Sequence, residues 1–530
     1  MAQRADSNSE DTEESTEPSL AIKIQLLILG CFPLSEGIAW ATTFPYIYSM
    51  VKSLSGPDSS DDNIALYAGI MVSVFPFGEF VGAPLWAKVS DGIGRKPTIL
   101  IGSMGAVFSA ILFGFSTSLP MAIAARACAG LLNPNMGVVP TFVGELVPKR
   151  QQGMASLQSV VLRSRTNAVV FNIAIGFSFA PVLRGIGVII GPVIGGYLAE
   201  PVNNYPSLFH KGTIWDKFPY LLPNLVVVIF LLSSCTLGLF CLEEVHPKFR
   251  DQVDIRWTLV SRMRNILTGK GWKADENIYA RIRADEIDPE LPASPTSPAA
   301  TPEEPGPKSP SPYTRQIKLQ ILYIAIQGFL KIATLALVPI FLETPKDSGQ
   351  PQNQTRDFDV VKGTLGIKGG FGLDTISTSN VLLSQAAASI VGQIYVPGII
   401  KRYGMLRCYR AVVLILLCLY YLLPFTANWS TWTGMPTMLI ILWVYALATG
   451  LATTCSQMLI THTLPSRDYL SEVNGRAAQV GCLARALGPA VSGQLFKLGL
   501  QIGYVGLPFW LLGAVTGLGG IVSLYLTDHA

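Results

Sequence analysis

The chain has 530 residues, half of them hydrophobic and only 14% charged, with a formal net charge of +4 and a positive mean hydropathy. A soluble domain carries about 25% charged residues, so much of this chain must meet lipid. The small, dispersed charge offers no basic face for nucleic acid, and the eight cysteines form no CxxC or CxxH pattern that would support a disulfide framework or a metal site.

In chain order, residues 1–20 are acidic and Ser-rich and lack a basic stretch leading into a short apolar core. They read as a disordered cytoplasmic tail rather than a cleaved signal. Apolar runs of roughly 20 residues, the length that crosses a bilayer, then recur. They lie near 22–48, 64–87, 98–118, 121–143, 154–199, 219–241, 317–341, 373–399, 411–427, 435–462, 473–498 and 504–527. The expected fold class is therefore all-α and polytopic, with twelve predicted spans in two six-helix bundles, 21–242 and 317–530. The polar linker 243–316 separates them, and its Pro/Ser/Glu-rich part, 288–312, cannot bury a core. Ser294, Ser297, Thr301, Ser309 and Ser311 each precede a proline there, as substrates of a proline-directed kinase do.

The fifth run does not fit. From 153 to 201 it is about twice a normal span, and it holds Arg163, Arg165 and Arg184. Without residues 164–182 it would be one ordinary helix ending in GVIIGPVIGG. That stretch reads as an insertion, for instance an unspliced intron, with a re-entrant or interfacial segment as the alternative.

Orientation follows from Lys and Arg in short loops. Lys88, Arg95 and Lys96 follow the second run, and Lys149 and Arg150 follow the fourth. Lys401, Arg402, Arg407 and Arg410 join the eighth and ninth, and Arg467 and Arg476 flank the start of the eleventh. The 3–4 and 9–10 loops carry no basic residue, whereas the 7–8 loop has four. Both termini, the 2–3 loop and the linker are thus expected in the cytoplasm. The two N-x-[ST] sequons, at Asn353 and Asn428, fall in loops assigned to the other side and are the glycosylation candidates.

The halves echo each other. WAKVSDGIGRKP (86–97) after the second run corresponds to GIIKRYGMLRCYR (398–410) after the eighth. GPVIGG in the fifth corresponds to LGPAVSG in the eleventh. Parallel six-helix repeats around a central cavity are a transporter architecture. In the first joint, Asp91 can accept from Arg95, and Gly94 lets the chain bend at little steric cost.

These features resemble the major facilitator superfamily, specifically its twelve-helix drug:proton antiporters with their fungal multidrug and plant zinc-induced-facilitator relatives. Asp91, Gly94, Arg95 and Lys96 match that family's 2–3 loop signature, with Ala87 and Gly92 departing from it. Gly187, Gly191, Pro192, Gly195 and Gly196 match its antiporter motif, although Ser178 replaces an earlier glycine. Arg126 and Gly130 match its RxxxG element, with Ala129 in place of Gln. The resemblance implies proton-coupled export of small organic solutes or drugs by alternating access. It implies a proton gradient rather than a bound cofactor, a lipid bilayer and a small-molecule substrate as partners, and a monomer in the plasma or vacuolar membrane. A proton-coupled symporter and a non-transporting sensor on the same scaffold are the alternatives. No HExxH, paired Asp, GxSxG or Cys/His constellation points to an enzyme.

Ionisable residues within spans are costly and are functional by default. Glu36, mid-way along the first run, is the first choice for the proton-coupled carboxylate, followed by Glu79. Arg126 is expected, by resemblance, to partner one of them or an anionic substrate. Lys331, Arg485, Asn133, Gln327 and Gln393 are candidates to line the cavity.

Overall fold

The computed structural model describes residues 20–56, 61–146, 168–246, 249, 313–346, 367, 369–462 and 470–526. Every long element among them is helical, as lipid demands of a chain that must satisfy its own backbone hydrogen bonds. Span 1 is Leu20–Ala41 continued through Phe44–Tyr46 into Ile47–Ser55, and span 2 is Asp61–Ile93. Span 3 is Arg95–Gly114, and span 4 comprises Leu119–Leu131 and Asn135–Leu146. Spans 5 and 6 are Ala168–Leu198 and Leu221–Cys241. In the second half, spans 7 and 8 are Arg315–Glu343 and Thr375–Tyr403, and span 9 is Met405–Leu422 with a 3-10 continuation, Leu423–Asn428. Spans 10, 11 and 12 are Thr431–His462, Leu470–Ile502 and Leu507–Leu524.

Among the described residues, eight helical segments are by themselves long and apolar enough to cross a membrane. Spans 4, 5, 8 and 11 complete the series of twelve. Span 4 is interrupted at Asn133-Pro134, and spans 8 and 11 carry many hydroxyl, amide and basic residues. Of the stretch expected as an insertion, residues 164–167 lie outside the described residues, and from Ala168 the backbone is already part of span 5. The tail 1–19, the Ser/Thr-Pro sites of the linker and Asn353 also lie outside the described residues.

The Gly-Pro elements do the same job in both halves. A Cβ at Gly187 would meet the backbone of Leu34 and Ile38, and one at Gly191 or Gly195 would meet Ala41 or Thr42. One at Gly488 would meet the Phe329 carbonyl and Ala333. So spans 5 and 11 each lie against the first span of their own half at a separation only glycine permits. The last glycine of each element reaches across the molecule. Gly196 abuts Ser379 of span 8, and Gly493 abuts Gly69 and Ala65 of span 2.

The two ends of the bundle differ. At the end holding residues 41–72, 330–342 and 496–512, one hydrophobic core runs through both halves, with Tyr46, Met71, Phe341, Tyr420 and Phe509 in it. Side chains seal it across the halves. Ser49 donates to Glu343 (3.0 Å) and shares a hydrogen bond with Thr375 (3.2 Å), Tyr197 donates to Asn380 (2.8 Å), and Lys497 donates to Asn63 (2.7 Å). At the other end each half keeps its own core. Leu29, Phe32, Ile99 and Phe142 belong to the first, and Tyr323, Tyr409, Cys455 and Leu459 to the second. The molecule is closed at one end and split at the other.

Candidate functional site

The joints Gly94 and Gly404 both sit at the split end, at φ 100° and 82°, a left-handed region that favours glycine. Around the first, every guanidinium nitrogen of Arg95 has a partner. Its Nη1 donates to Asp91 (2.6 Å) and Ser90 (2.7 Å), and its Nη2 and Nε donate to Glu145 (2.8 and 3.1 Å). Glu244, at the start of the linker, accepts from the backbone N–H of Arg95 and of Lys96 (both 3.0 Å). A carboxylate there caps the first turn of span 3 and complements its dipole. Asp91 remains exposed, and Lys96 is buried. Glu145, at the end of span 4, reads from sequence as a structural residue, whereas nothing in the sequence points to Glu244 in this role.

The second cluster lies midway between the ends and begins at a glycine contact. A Cβ at Gly37 would meet the Arg184 carbonyl, and Gly187 lies one turn beyond. This close approach of spans 1 and 5 carries the Arg184 Nη1 to 2.6 Å from the buried carboxylate of Glu36. Span 4 supplies the rest. Where it breaks at Asn133-Pro134, the Asn133 Oδ1 accepts from the Asn135 N–H (3.1 Å), which re-satisfies the broken helix. The freed Asn133 Nδ2 bridges the two carboxylates, 3.1 Å from Glu36 and 2.9 Å from Glu79. Asn135 adds a second amide donor to Glu36 (3.1 Å). From the other half, the Arg485 Nη2 stands 3.7 Å from Glu79 and donates to the Cys482 sulfur (2.8 Å).

Arg126 is buried nearby, its guanidinium 5.1 Å from the Phe75 ring centre and 5.8 Å from that of Phe113. Among the described residues its Nε and Nη2 have no hydrogen-bond partner. It faces a cavity of about 50 Å³ lined also by Glu36, Trp40, Asn133 and Asn224, which has room for about one or two waters. The carboxylate partner expected for Arg126 is instead taken by Arg184, a residue visible in the sequence only as a misfit in an overlong run. Mid-span position was the signal that could have found it.

The structure thus brings Glu36, Glu79, Asn133, Arg485 and Arg126 together, with Lys331 of span 7 one turn from Gly328, which packs against the Arg485 side chain. Gln327 differs from expectation: its Nε2 donates to Tyr323 on its own helix. The side chain of Gln393 lies outside the described residues, and Asn428 is exposed at the closed end. Among the described residues no group of His, Cys, Asp or Glu is arranged to hold a metal ion.

Comparison with known proteins gives this architecture its family. The model of the Major Facilitator Superfamily matches residues 29–163. The chain is 32% identical over 540 residues to the major facilitator superfamily multidrug transporter mfsB of Aspergillus fumigatus, covering 95% of this chain and 83% of that protein. The chain belongs to the major facilitator superfamily. It is also similar to the major facilitator-type transporter psiT2 of Psilocybe cyanescens, 26% identical over 96% of this chain and 90% of that one. In fold it is like a crystal structure of a D-xylose-proton symporter, with a TM-score of 0.60 at 12% identity over 96% of this chain and 98% of the other. This superfamily member is an integral, multi-pass membrane transporter.

Proposed function

We propose that the chain is a proton-coupled exporter of small organic solutes in the plasma or vacuolar membrane, working by alternating access about the Glu36–Glu79 cluster. One observation carries this reading: two carboxylates, joined by the Asn133 amide, lie mid-membrane, each facing a guanidinium and one of those guanidiniums belonging to the other half. Similarity to a multidrug transporter supports the export direction. The split end carries Lys88, Arg95, Lys96, Lys401, Arg402, Arg407 and Arg410, which favours the cytoplasm for it. The structure is then open inward and closed outward.

The two carboxylates differ in how they are held. Glu36 accepts from Arg184, Asn133 and Asn135, three donors fixed on spans 4 and 5. Glu79 accepts from one amide, with Arg485 beyond hydrogen-bond reach. For that reason Glu79 is proposed as the carrier of the exchangeable proton in place of Glu36, the first choice by sequence. A proton arriving on Glu79 weakens the attraction between spans 2 and 11 and frees the halves to rock. On the outside a proton taken up by Glu79 replaces the departing solute, and its loss to the cytoplasm leaves the inward-facing site ready to load the next one.

The test uses the purified full chain in liposomes with an imposed pH gradient, reading proton flux with an internal pH dye and solute flux with ethidium and carboxyfluorescein. The wild type should couple the two fluxes, and Glu79→Gln should move solute only down its own gradient, without protons. Proton-coupled flux at the wild-type rate in Glu79→Gln would reject Glu79 as the carrier.

A further inference from the structure

Lys331 stands at the middle of span 7, flanked by buried Leu330, Ile332 and Ala333, and is itself exposed. One turn away on the same helix, a Cβ at Gly328 would lie 3.3 Å from the side chain of Arg485 of span 11, so this face of span 7 looks into the space between the halves rather than onto lipid, and the charges nearest Lys331 there are Arg184 and Arg485. Both are cations. Among the described residues no carboxylate pairs with Lys331, and an unneutralised charge at the centre of a bilayer costs about 3 kcal/mol even on permissive scales. Arg184 and Arg485 are themselves only partly spent. Each faces one carboxylate yet keeps its side chain 31% and 26% exposed, respectively. With Arg126, four cations converge on two carboxylates, and the excess lies where the halves meet.

Resting on the exporter reading above, we propose that Lys331, Arg184 and Arg485 bind the anionic group of the transported solute, a carboxylate, sulfonate or phosphate on an organic body. The two guanidiniums present planar donor forks from opposite halves, and Lys331 adds a point charge. A bound anion neutralises the excess and ties the halves together through its own oxygens. Glu36 and Glu79 lie behind the guanidiniums, so the proton site and the solute site share Arg184 and Arg485.

The experiment compares carboxyfluorescein, an organic anion, with ethidium, an organic cation, in liposomes of phosphatidylcholine, which supply no anionic headgroup. Wild type should transport carboxyfluorescein in preference to ethidium. Lys331→Gln should slow carboxyfluorescein about ten-fold or more, the worth of a hydrogen bond to a charged group, and Lys331→Arg should retain it. Lys331→Glu should shift preference toward ethidium, a gain that a misfolded protein cannot produce. Coupled transport of ethidium without carboxyfluorescein leaves the exporter reading standing and overturns the anion site, as does wild-type carboxyfluorescein flux in Lys331→Gln. Movement of neither probe by the wild type counts against both.

Discussion

The molecule holds two clusters built from the same letters, arginine with glutamate or aspartate, and they are opposite in kind. At the split end Arg95 is met by Asp91, Ser90 and Glu145, and Glu244 closes the helix terminus beside it. In the centre, among the described residues, Arg126 keeps two nitrogens unpartnered, Lys331 has no carboxylate partner, and Glu79 is half-held. A saturated network fixes one geometry. An unsaturated one, lodged between bodies that can move, is free to trade partners for a proton or a solute. The joint at Gly404 sharpens the contrast, since its Arg407 is exposed and, among the described residues, Arg410 reaches the Leu526 carbonyl (3.5 Å) and no carboxylate.

The largest effect should come from splitting the central pair. Arg184→Met leaves Glu36 as an uncompensated buried anion and should cost about 3 kcal/mol of stability, seen as a lower thermal unfolding midpoint in detergent. Pairing it with Glu36→Gln should recover part of that loss, because the charge left behind is then gone. A double variant no more stable than Arg184→Met would mean that the pair is not coupled.

Next comes the contact that sets the pair. Gly187→Val forces a side chain into the backbone of Leu34 and Ile38 and should cost about 1–3 kcal/mol, as overpacking does. The same midpoint measurement would show it, and a neutral Gly187→Val would separate the glycine motif from span packing. Arg95→Gln, which strands Glu145, should cost about 1–2 kcal/mol. Smallest of all should be Arg407→Gln at the second joint, within about 0.5 kcal/mol. Equal losses at Arg95 and Arg407 would erase the distinction between the joints.

The fold was largely legible because its signals are long-range and crude. Bilayer-length apolar runs, the polar linker and the repeated Gly-Pro elements survive any error of a few residues. The site was legible only as a set of isolated charges. Glu36, Glu79 and Arg485 each announce themselves by standing mid-span, but which cation meets which carboxylate depends on helix register. That register is set by backbone contacts such as Gly37 against the Arg184 carbonyl. Gln327 shows the same limit from the other side, since an amide within a span can face a cavity or its own helix with equal ease in sequence. Glu244 required the start of the linker to fold back onto span 3, for which no local pattern exists.

The most direct test of alternating access needs no substrate. In the full chain with its eight native cysteines replaced by serine, spin labels at Leu208→Cys and Trp432→Cys would report the closed end, and labels at Ile93→Cys and Tyr403→Cys the split end. All four sites are exposed. Acidification of labelled proteoliposomes should lengthen the first distance while shortening the second, with Glu79→Gln no longer responding. Both distances staying single and fixed across pH would contradict a transporter that opens first to one side and then to the other.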